Sequence, residues 1–450
     1  MKFKEMIQKT RPVRLITLGF VLTIVVGAVL LALPIANVGK PISFLDHLFT
    51  ATTSVCVTGL VTVPIVEQYS VFGQLVILLL IQIGGLSLIS VLSFVLVLIK
   101  RSRINLKEKR LIQEAVNQNS ISGMSVYLKR VVSYTVIFEL LGAVLLSFAF
   151  VPEFGLKGVY FAIFHSVSAF CNAGLDVLGT VSLMDYATNP LVNVTVMFLI
   201  VAGGLGYAVW FELAEFLKNK HRKFKLSLHA RMVIKLTVIF IISGAVLFFL
   251  LESNNMKTIG NLSFSDKILA CVFQSVTLRT AGFSSVNFAY LHPATKFYML
   301  FFMLIGGAPG GTAGGLKVTT FLVLLMYAIQ SHVNDDGIIL ANRTIDRNVI
   351  RKAYFLLSLY ISLIVMSLFI FLVVESFDAL DALFEIVSAI GTVGLSTGIT
   401  SKLTSISKIC IILLMYVGRT GPLSIYLSLL RKEKTVNHKV HYPKADIMIG

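Results

Sequence analysis

The sequence is short of charge, and shortest of acid: of 450 residues 14% are charged, with 22 Asp and Glu against 39 Lys and Arg. A soluble domain carries about a quarter charged residues, so a chain that is 56% hydrophobic with a mean hydropathy of +0.87 falls outside that class. Cysteine is scarce too. Cys56, Cys171, Cys271 and Cys410 all lie in loop or apolar sequence and not in paired exposed positions, which argues against a disulfide framework or a cysteine metal site. The eight histidines are scattered, and His47 and His165 have no acid or cysteine at ligand spacing, so they read as structural. No nucleophile and base pair, phosphate cradle or cofactor motif is present; GGTAGGLK departs from a Walker A loop because Leu316 separates Gly315 from Lys317, and no strand precedes it. The longest hydrophilic stretches reach only about 30 residues, too few for a soluble regulatory or nucleotide-hydrolysing domain. The expectation is a membrane protein that is not an enzyme, has no covalent cofactor, draws on ion gradients, and takes any nucleotide control from another chain.

What the chain does have is a fourfold recurrence. Short polar loops ending at Gly59, Gly174, Gly282 and Gly394 read TTSVCVTGL, SAFCNAGL, TLRTAGF and SAIGTVGL. A helical stretch with an aromatic near its end precedes each one: Phe49, Phe164, Phe273 and Phe384. Some 24 to 29 residues after each glycine comes a second small-residue cluster inside an apolar run, at Gly84-Gly85, Gly203-Gly204, Gly306-Gly307 and Gly418. Two features repeated in fixed order indicate internal duplication. Eight segments are long and apolar enough to span a bilayer, at about 14–35, 71–99, 132–151, 190–214, 232–251, 298–328, 353–374 and 409–430. The expected fold is therefore all-α and integral to the membrane, with eight transmembrane helices in four helix, pore loop, helix repeats around a pseudo-fourfold axis. The repeats fall at 1–100, 101–220, 221–330 and 331–432, followed by a cytoplasmic tail at 433–450 that is too polar to span.

The basic residues set the orientation. The connector from Lys100 to Arg130 holds eight Lys or Arg against two acids, the stretch from Lys218 to Lys235 is denser, and both termini are basic. By the positive-inside tendency these face the cytoplasm, and the glycine loops enter from outside. The net charge of +17 sits in short loops beside spans, so it does not point to nucleic acid. The first apolar run is too long for a signal peptide and matches the first helix of the other repeats, so it is expected to be retained.

Non-helical backbone survives at membrane depth only where it is packed in protein or lines water. Four glycine strands around one axis can turn carbonyls toward an ion, and each preceding helix aims its negative end at the cavity. The candidate filter is Val57, Thr58 and Gly59; Asn172, Ala173 and Gly174; Thr280, Ala281 and Gly282; and Thr392, Val393 and Gly394. Thr392-Val393-Gly394 reproduces the start of the TVGYG filter sequence. Helix-breaking glycines in ordinary extracellular turns are the alternative.

These loops, the stretch GGAPGGTAGG and Arg419 within YVGRTGP together resemble the Trk, Ktr and HKT superfamily of potassium transporters, and within it the membrane subunit of bacterial Ktr systems, over nearly the whole chain. The resemblance implies one filter glycine per repeat, with potassium at Gly59, Gly174, Gly282 and Gly394. A serine at the first position goes with sodium transport, so four glycines favour potassium, with sodium as an optional coupling ion. It also implies a gate made of Gly306, Gly307, Ala308, Pro309, Gly310, Gly311, Thr312, Ala313, Gly314 and Gly315, with Lys317 and Arg419 beside it. Its further implications are a homodimer in the cell membrane with both termini cytoplasmic, a KtrA-like cytoplasmic ring of nucleotide-binding subunits, and no nucleic acid.

Read from the residues alone, six glycines and Pro309 within 306–315 break the helix, though Gly310 and Gly314 also fit a close helix-packing face. Arg419 near the centre of a span costs at least ~2.5 to 3.5 kcal/mol without a partner; it either raises the barrier to a cation or caps loop carbonyls. Glu139 is a second intramembrane charge, Arg279 is expected to brace the loop from behind, and Lys235 and Glu212 can snorkel. The competing hypotheses are a sodium- or ammonium-conducting relative and a secondary transporter of a small organic substrate, which would show paired broken helices in two halves.

Overall fold

The computed structural model describes residues 12–86, 124–179, 182–218, 225–330, 338–341, 343–422 and 425. The tail at 433–450, the basic N-terminal residues, the connector at 100–123 and the second half of the span placed at 71–99 lie outside the described residues.

Each repeat opens with a long apolar helix: α1 (Pro12–Ala32), then α4 (Met124–Phe154), α8 (Leu228–Glu252) and α12 (Arg347–Val374). The four single helices that are long and apolar enough to cross a bilayer, among the described residues, belong to these. Large apolar side chains such as Leu22, Leu140, Ile239 and Phe369 stand exposed along them, as befits a surface whose solvent is lipid.

The pore helices come next: α2 (Phe44–Cys56), α5 (Leu156–Phe170), α9 (Phe264–Thr277) and α13 (Ala379–Gly391). Three of them begin on a short capping signature. Ser43 and Ser263 accept the amides of Asp46 and Asp266, and Asp378 accepts that of Leu380. Within α2 the hydroxyls of Thr50, Thr52 and Ser54 bond back to carbonyls four residues earlier at 2.9, 2.7 and 2.6 Å, so a polar helix satisfies itself at membrane depth. Phe49, Phe164, Phe273 and Phe384 are fully buried. They sit in the body of each helix and not near its end; their contribution is close packing, because lipid is as apolar as they are.

The second helices are where the fold departs from eight straight spans. α3 (Val71–Leu86) is described for 16 residues and α14 (Ser405–Thr420) also has 16. In the second repeat the expected single span is two helices, α6 (Pro190–Gly204) and α7 (Tyr207–Lys218), bent by 102°. The bend falls at Gly206, whose φ of +84° glycine alone adopts without strain. In the third repeat α10 (Pro293–Leu304) and α11 (Val318–Gln330) flank an irregular stretch. Two second helices are thus broken where the sequence reading expected one. Gly310 and Gly314 lie in that irregular stretch and not on a helix face. The otherwise helical chain also carries a short antiparallel hairpin, β1 (Ile338–Leu340) with β2 (Arg343–Ile345), in the connector to α12.

Polar contacts join neighbouring repeats. Ten residues before the second glycine cluster, Lys408 of α14 pairs with Asp46 of α2 at 2.6 Å and Lys296 of α10 with Asp381 of α13 at 2.7 Å. At the same place in α3, Gln74 accepts the Tyr160 hydroxyl of α5 at 2.9 Å. Asn193 holds the position in α6 but turns to the carbonyls of Tyr186 and Asn189, and the seam between repeats two and three is instead bridged by Leu183 N to Ser284 O at 3.0 Å.

Candidate functional site

The four glycine loops come together in space with one backbone geometry. The residue two before each glycine is left-handed, with φ of +55° at Val57, +60° at Asn172, +64° at Thr280 and +51° at Thr392, and the glycines lie at +104°, +64°, +79° and +90° in the same order. One anchor holds each strand. The carbonyls of Thr53, Ser168, Thr277 and Ser388 accept the amides of Thr58, Ala173, Ala281 and Val393 at 2.9, 2.7, 3.0 and 2.8 Å. Their hydroxyls bond the strand again: Thr53 to Gly59 N at 2.9 Å, Ser388 to Gly394 N at 3.1 Å, Ser168 to Leu175 O at 2.7 Å and Thr277 to Phe283 O at 2.6 Å. The third loop is one residue shorter, since Thr277 stands five before its glycine and the other anchors stand six before theirs. That recurring hydroxyl is a sequence signal the loop reading missed.

The glycines face one another so closely that no side chain fits. A Cβ on Gly394 would lie 2.0 Å from the Thr58 oxygen and 2.8 Å from Gly59 Cα; one on Gly174 would lie 2.5 Å from Gly282 Cα; and those on Gly59 and Gly282 would meet backbone at 2.8 and 2.9 Å. The carbonyls of Thr58, Ala173, Ala281 and Val393 reach into this ring. Thr58, Thr280 and Thr392 add buried hydroxyls that lack a hydrogen-bond partner among the described residues. A set of neutral oxygen donors can replace the hydration shell of a hard cation.

The second glycine clusters serve the same ring. A Cβ on Gly84, Gly203 or Gly418 would fall 2.0, 1.9 or 2.1 Å from the carbonyls of Val55, Phe170 and Ile390, each near the end of its own repeat's pore helix. Glycine at these points lets the second helix lie directly against the loop. In the third repeat Gly306 meets Gly314 O instead, at 2.0 Å.

The irregular stretch from Ile305 to Lys317 crosses the side of the ring on which the helices leading into the loops end. Ile305 and Leu316 form a parallel bridge, with Gly306 N to Leu316 O at 2.9 Å. Toward the second repeat, Ala308 N bonds Gly204 O at 2.9 Å, Thr312 N bonds Gly203 O at 3.1 Å and Tyr207 N bonds Gly310 O at 3.2 Å. The Thr312 hydroxyl lies 3.0 Å from Phe170 O and 2.9 Å from Asn172 Oδ1. Gly314 abuts Thr392 and Gly315 abuts Gly391, in the fourth loop. Lys317 turns onto the stretch itself, Nζ to Ala313 O at 2.6 Å. Arg419 closes the other side: Nη1 donates to Thr312 O, and Nη2 to Gly84 O at 2.5 Å and Gly85 O at 3.4 Å. The guanidinium thus caps carbonyls of the irregular stretch and joins it to the first repeat.

The remaining charges resolve in part. Glu139 receives Gln82 Nε2 at 3.3 Å, with Cys171 Sγ at 3.9 Å. Arg279 ties its loop to the second one through its carbonyl, which accepts Asn172 Nδ2 at 3.2 Å; its Nη1 and Nη2 have no partner among the described residues. His47 and His165 bond Tyr69 and the Phe161 carbonyl. Glu212 receives Ser227 N and Oγ at the start of α8.

With this geometry in place, the comparisons with known proteins become specific. The model of the TrkH cation transport protein family matches residues 15–437. The chain belongs to that family. It is a multi-pass membrane protein of a cation-transporting and not an enzymatic family. It is 38% identical to the potassium/sodium uptake protein NtpJ of Enterococcus hirae, over 99% of both chains. It is likewise 38% identical to the Ktr system potassium uptake protein B of Bacillus subtilis, over 98% of this chain and 97% of that one. The protein of the same name from Vibrio alginolyticus is 34% identical over 97% and 94%. The solved potassium transporter TrkH of Vibrio parahaemolyticus shares the fold at a TM-score of 0.71 and 18% identity, over 92% of this chain and 84% of that chain.

Proposed function

We propose that this chain is a potassium-selective uptake protein of the cell membrane, with a channel-like pore formed by four covalently joined repeats. The carrying observation is the ring of Gly59, Gly174, Gly282 and Gly394, packed too tightly for any Cβ and fed by four carbonyls. The names of the relatives support potassium as the cargo. In this reading the stretch from Gly306 to Gly315, with Lys317 and Arg419, is the gate: the contacts of Thr312 and Arg419 hold it across the pore, and the two must part for an ion to pass. The Arg419 charge adds an electrostatic barrier while it remains there. Nucleotide control is assigned to a KtrA-like cytoplasmic ring docking on the basic inner face of a homodimer, because relatives at 38% and 34% identity are named as proteins of a Ktr system. Both termini are placed in the cytoplasm.

One relative is named for potassium and sodium together, so the ion needs a direct test. Thermal unfolding of the purified chain in detergent, at matched ionic strength, is compared in potassium, rubidium, sodium and ammonium, alongside Gly394→Ser. An ion bound only to the folded state stabilises it by about 2.7 kcal/mol at 100 times its Kd. Stabilisation by potassium and rubidium that weakens in the variant supports the filter. An equal or larger shift with sodium moves the reading to a sodium-handling relative, and no shift with any cation overturns it in favour of an organic substrate.

A further inference from the structure

Outside the four glycines lies a half-open cleft of about 360 Å³, and Gly59, Gly174, Gly282 and Gly394 form part of its wall. Among the described residues, the remainder of the wall is apolar or neutral and polar, with one exception. Asp176 lines the cavity, and no lysine, arginine or histidine does.

Asp176 stands two residues after Gly174; the matching positions in the first, third and fourth repeats are Val61, Ser284 and Ser396. Comparing them separates two jobs. Ser396 Oγ accepts the amide of Gly398 at 2.9 Å and Ser284 Oγ accepts that of Val286 at 3.3 Å, so each hydroxyl pins the strand leaving the ring by a bond two residues onward. The Asp176 carboxyl has the same task, held by backbone hydrogen bonds from Gly179 and Leu178. Since a hydroxyl suffices for that turn in two repeats, the turn does not account for a carboxylate in this one. What the carboxylate adds is charge.

We propose that Asp176 is the entry charge of the pore, a fixed carboxylate that concentrates monovalent cations in the outer cavity above the glycine ring without being a ligand of the ion in the ring. This rests on the uptake reading above. A charge in a cavity with low-dielectric walls focuses its field on the space it encloses, and acidic side chains at the mouths of cation pores act in this way. Over a separation of roughly 8 Å, one negative charge raises the local cation concentration by about two- to thirty-fold, depending on whether water or protein surface sets the effective dielectric. Burial pushes the Asp176 carboxyl up to about 7 against the pull of the two amides, so measurements at an external pH of about 8 find it ionised.

The test is rubidium uptake as a function of external rubidium, in cells without potassium uptake of their own that carry the full chain and its cytoplasmic partner. It is run at low ionic strength and again with choline added to roughly 0.15 M, where the Debye length falls to about 8 Å. Asp176→Ser keeps the turn used by the third and fourth repeats and removes the charge. The expected result is a rise of about two-fold or more in half-saturating rubidium at low ionic strength, an unchanged maximal rate, and a difference from wild type that narrows in choline. Asp176→Glu restores the wild-type curve. So does Ser396→Asp added to Asp176→Ser, because it places a carboxylate on the diagonally opposite strand, where the serine already makes the same turn.

An unchanged half-saturation, or a fall in maximal rate that neither choline nor Ser396→Asp alters, would leave Asp176 with only its turn and overturn the proposal. If Asp176→Ser fails to accumulate, wild type alone decides: its half-saturating rubidium must itself rise with choline, and insensitivity to choline overturns the proposal. Wild type that takes up no rubidium at all removes the uptake reading, and the entry charge with it.

Discussion

Thr312 offers the sharpest way to ask whether the irregular stretch holds the pore shut. Its side chain is 1% exposed, and its hydroxyl lies within hydrogen-bond reach of Phe170 O at 3.0 Å and Asn172 Oδ1 at 2.9 Å, the end of the second pore helix and the left-handed residue after it. A hydroxyl has one proton, so it satisfies one of these acceptors at a time. Thr312→Val keeps the shape and removes the donor, leaving the buried Asn172 oxygen without its partner. The loss is about 1 to 3 kcal/mol of the docked arrangement, which multiplies the undocked population by about 5- to 150-fold. The stretch does not fall free, because Ala308 N, Thr312 N and Arg419 still hold it through backbone carbonyls. The assay is rubidium flux into liposomes containing the purified chain without any partner. Thr312→Val is expected to raise basal flux by an order of magnitude or so, and Thr312→Ser, which keeps the donor, to stay near wild type. Flux in Thr312→Val that is unchanged or lower would refute the argument that this hydroxyl helps to close the pore.

Adjacent glycines give a second contrast. Gly203→Ala drives a Cβ to 1.9 Å from Phe170 O, whereas the nearest atom to one on Gly204 is 3.9 Å away, so the first should abolish folding or lower stability by more than about 3 kcal/mol and the second should be neutral within about 1 kcal/mol. Comparable melting temperatures for the two in detergent would contradict this. Lys408→Met strands the Asp46 carboxylate, whose side chain is 11% exposed, and should cost about 2 to 3 kcal/mol, below the figure for a wholly buried pair because some water reaches it. Adding Asp46→Asn should recover most of that loss, and a double variant no more stable than Lys408→Met would show that the pair is not coupled.

Much of the architecture was legible because membrane solvation makes demands that composition reveals. Four long apolar helices and four polar, glycine-ended loops had to appear as sequence contrasts. The convergence of Gly59, Gly174, Gly282 and Gly394 followed from their common register. The break at Gly306–Gly315 was visible for a local reason, since Pro309 and six glycines cannot continue a helix. The 102° bend between α6 and α7 was not, although Gly206 lies there, because the apolar run on both sides reads as one span and a lone glycine in such a run is tolerated.

What sequence could not supply was the partner of each feature. Gly84, Gly203 and Gly418 stood out only as small residues recurring inside apolar runs, yet their role is defined by a carbonyl in the preceding pore helix, and only the folded backbone brings the two within a Cβ's breadth. The same holds for Arg419. Its span made it costly and so implied compensation, but only the folded backbone shows the acceptors that supply it, the carbonyls of Thr312, Gly84 and Gly85. Those contacts also place the four second glycine clusters in one connected assembly: Gly203-Gly204 bonds the stretch that begins at Gly306, that stretch bonds Arg419 beside Gly418, and Arg419 bonds Gly84-Gly85. Any movement of the stretch must therefore break backbone hydrogen bonds to the second repeat and the arginine's bonds in the fourth. On the proposal that this stretch is the gate, opening would exchange those contacts for others and not widen the pore gradually, and loss of a single hydroxyl at Thr312 should then register as a change in how often it opens.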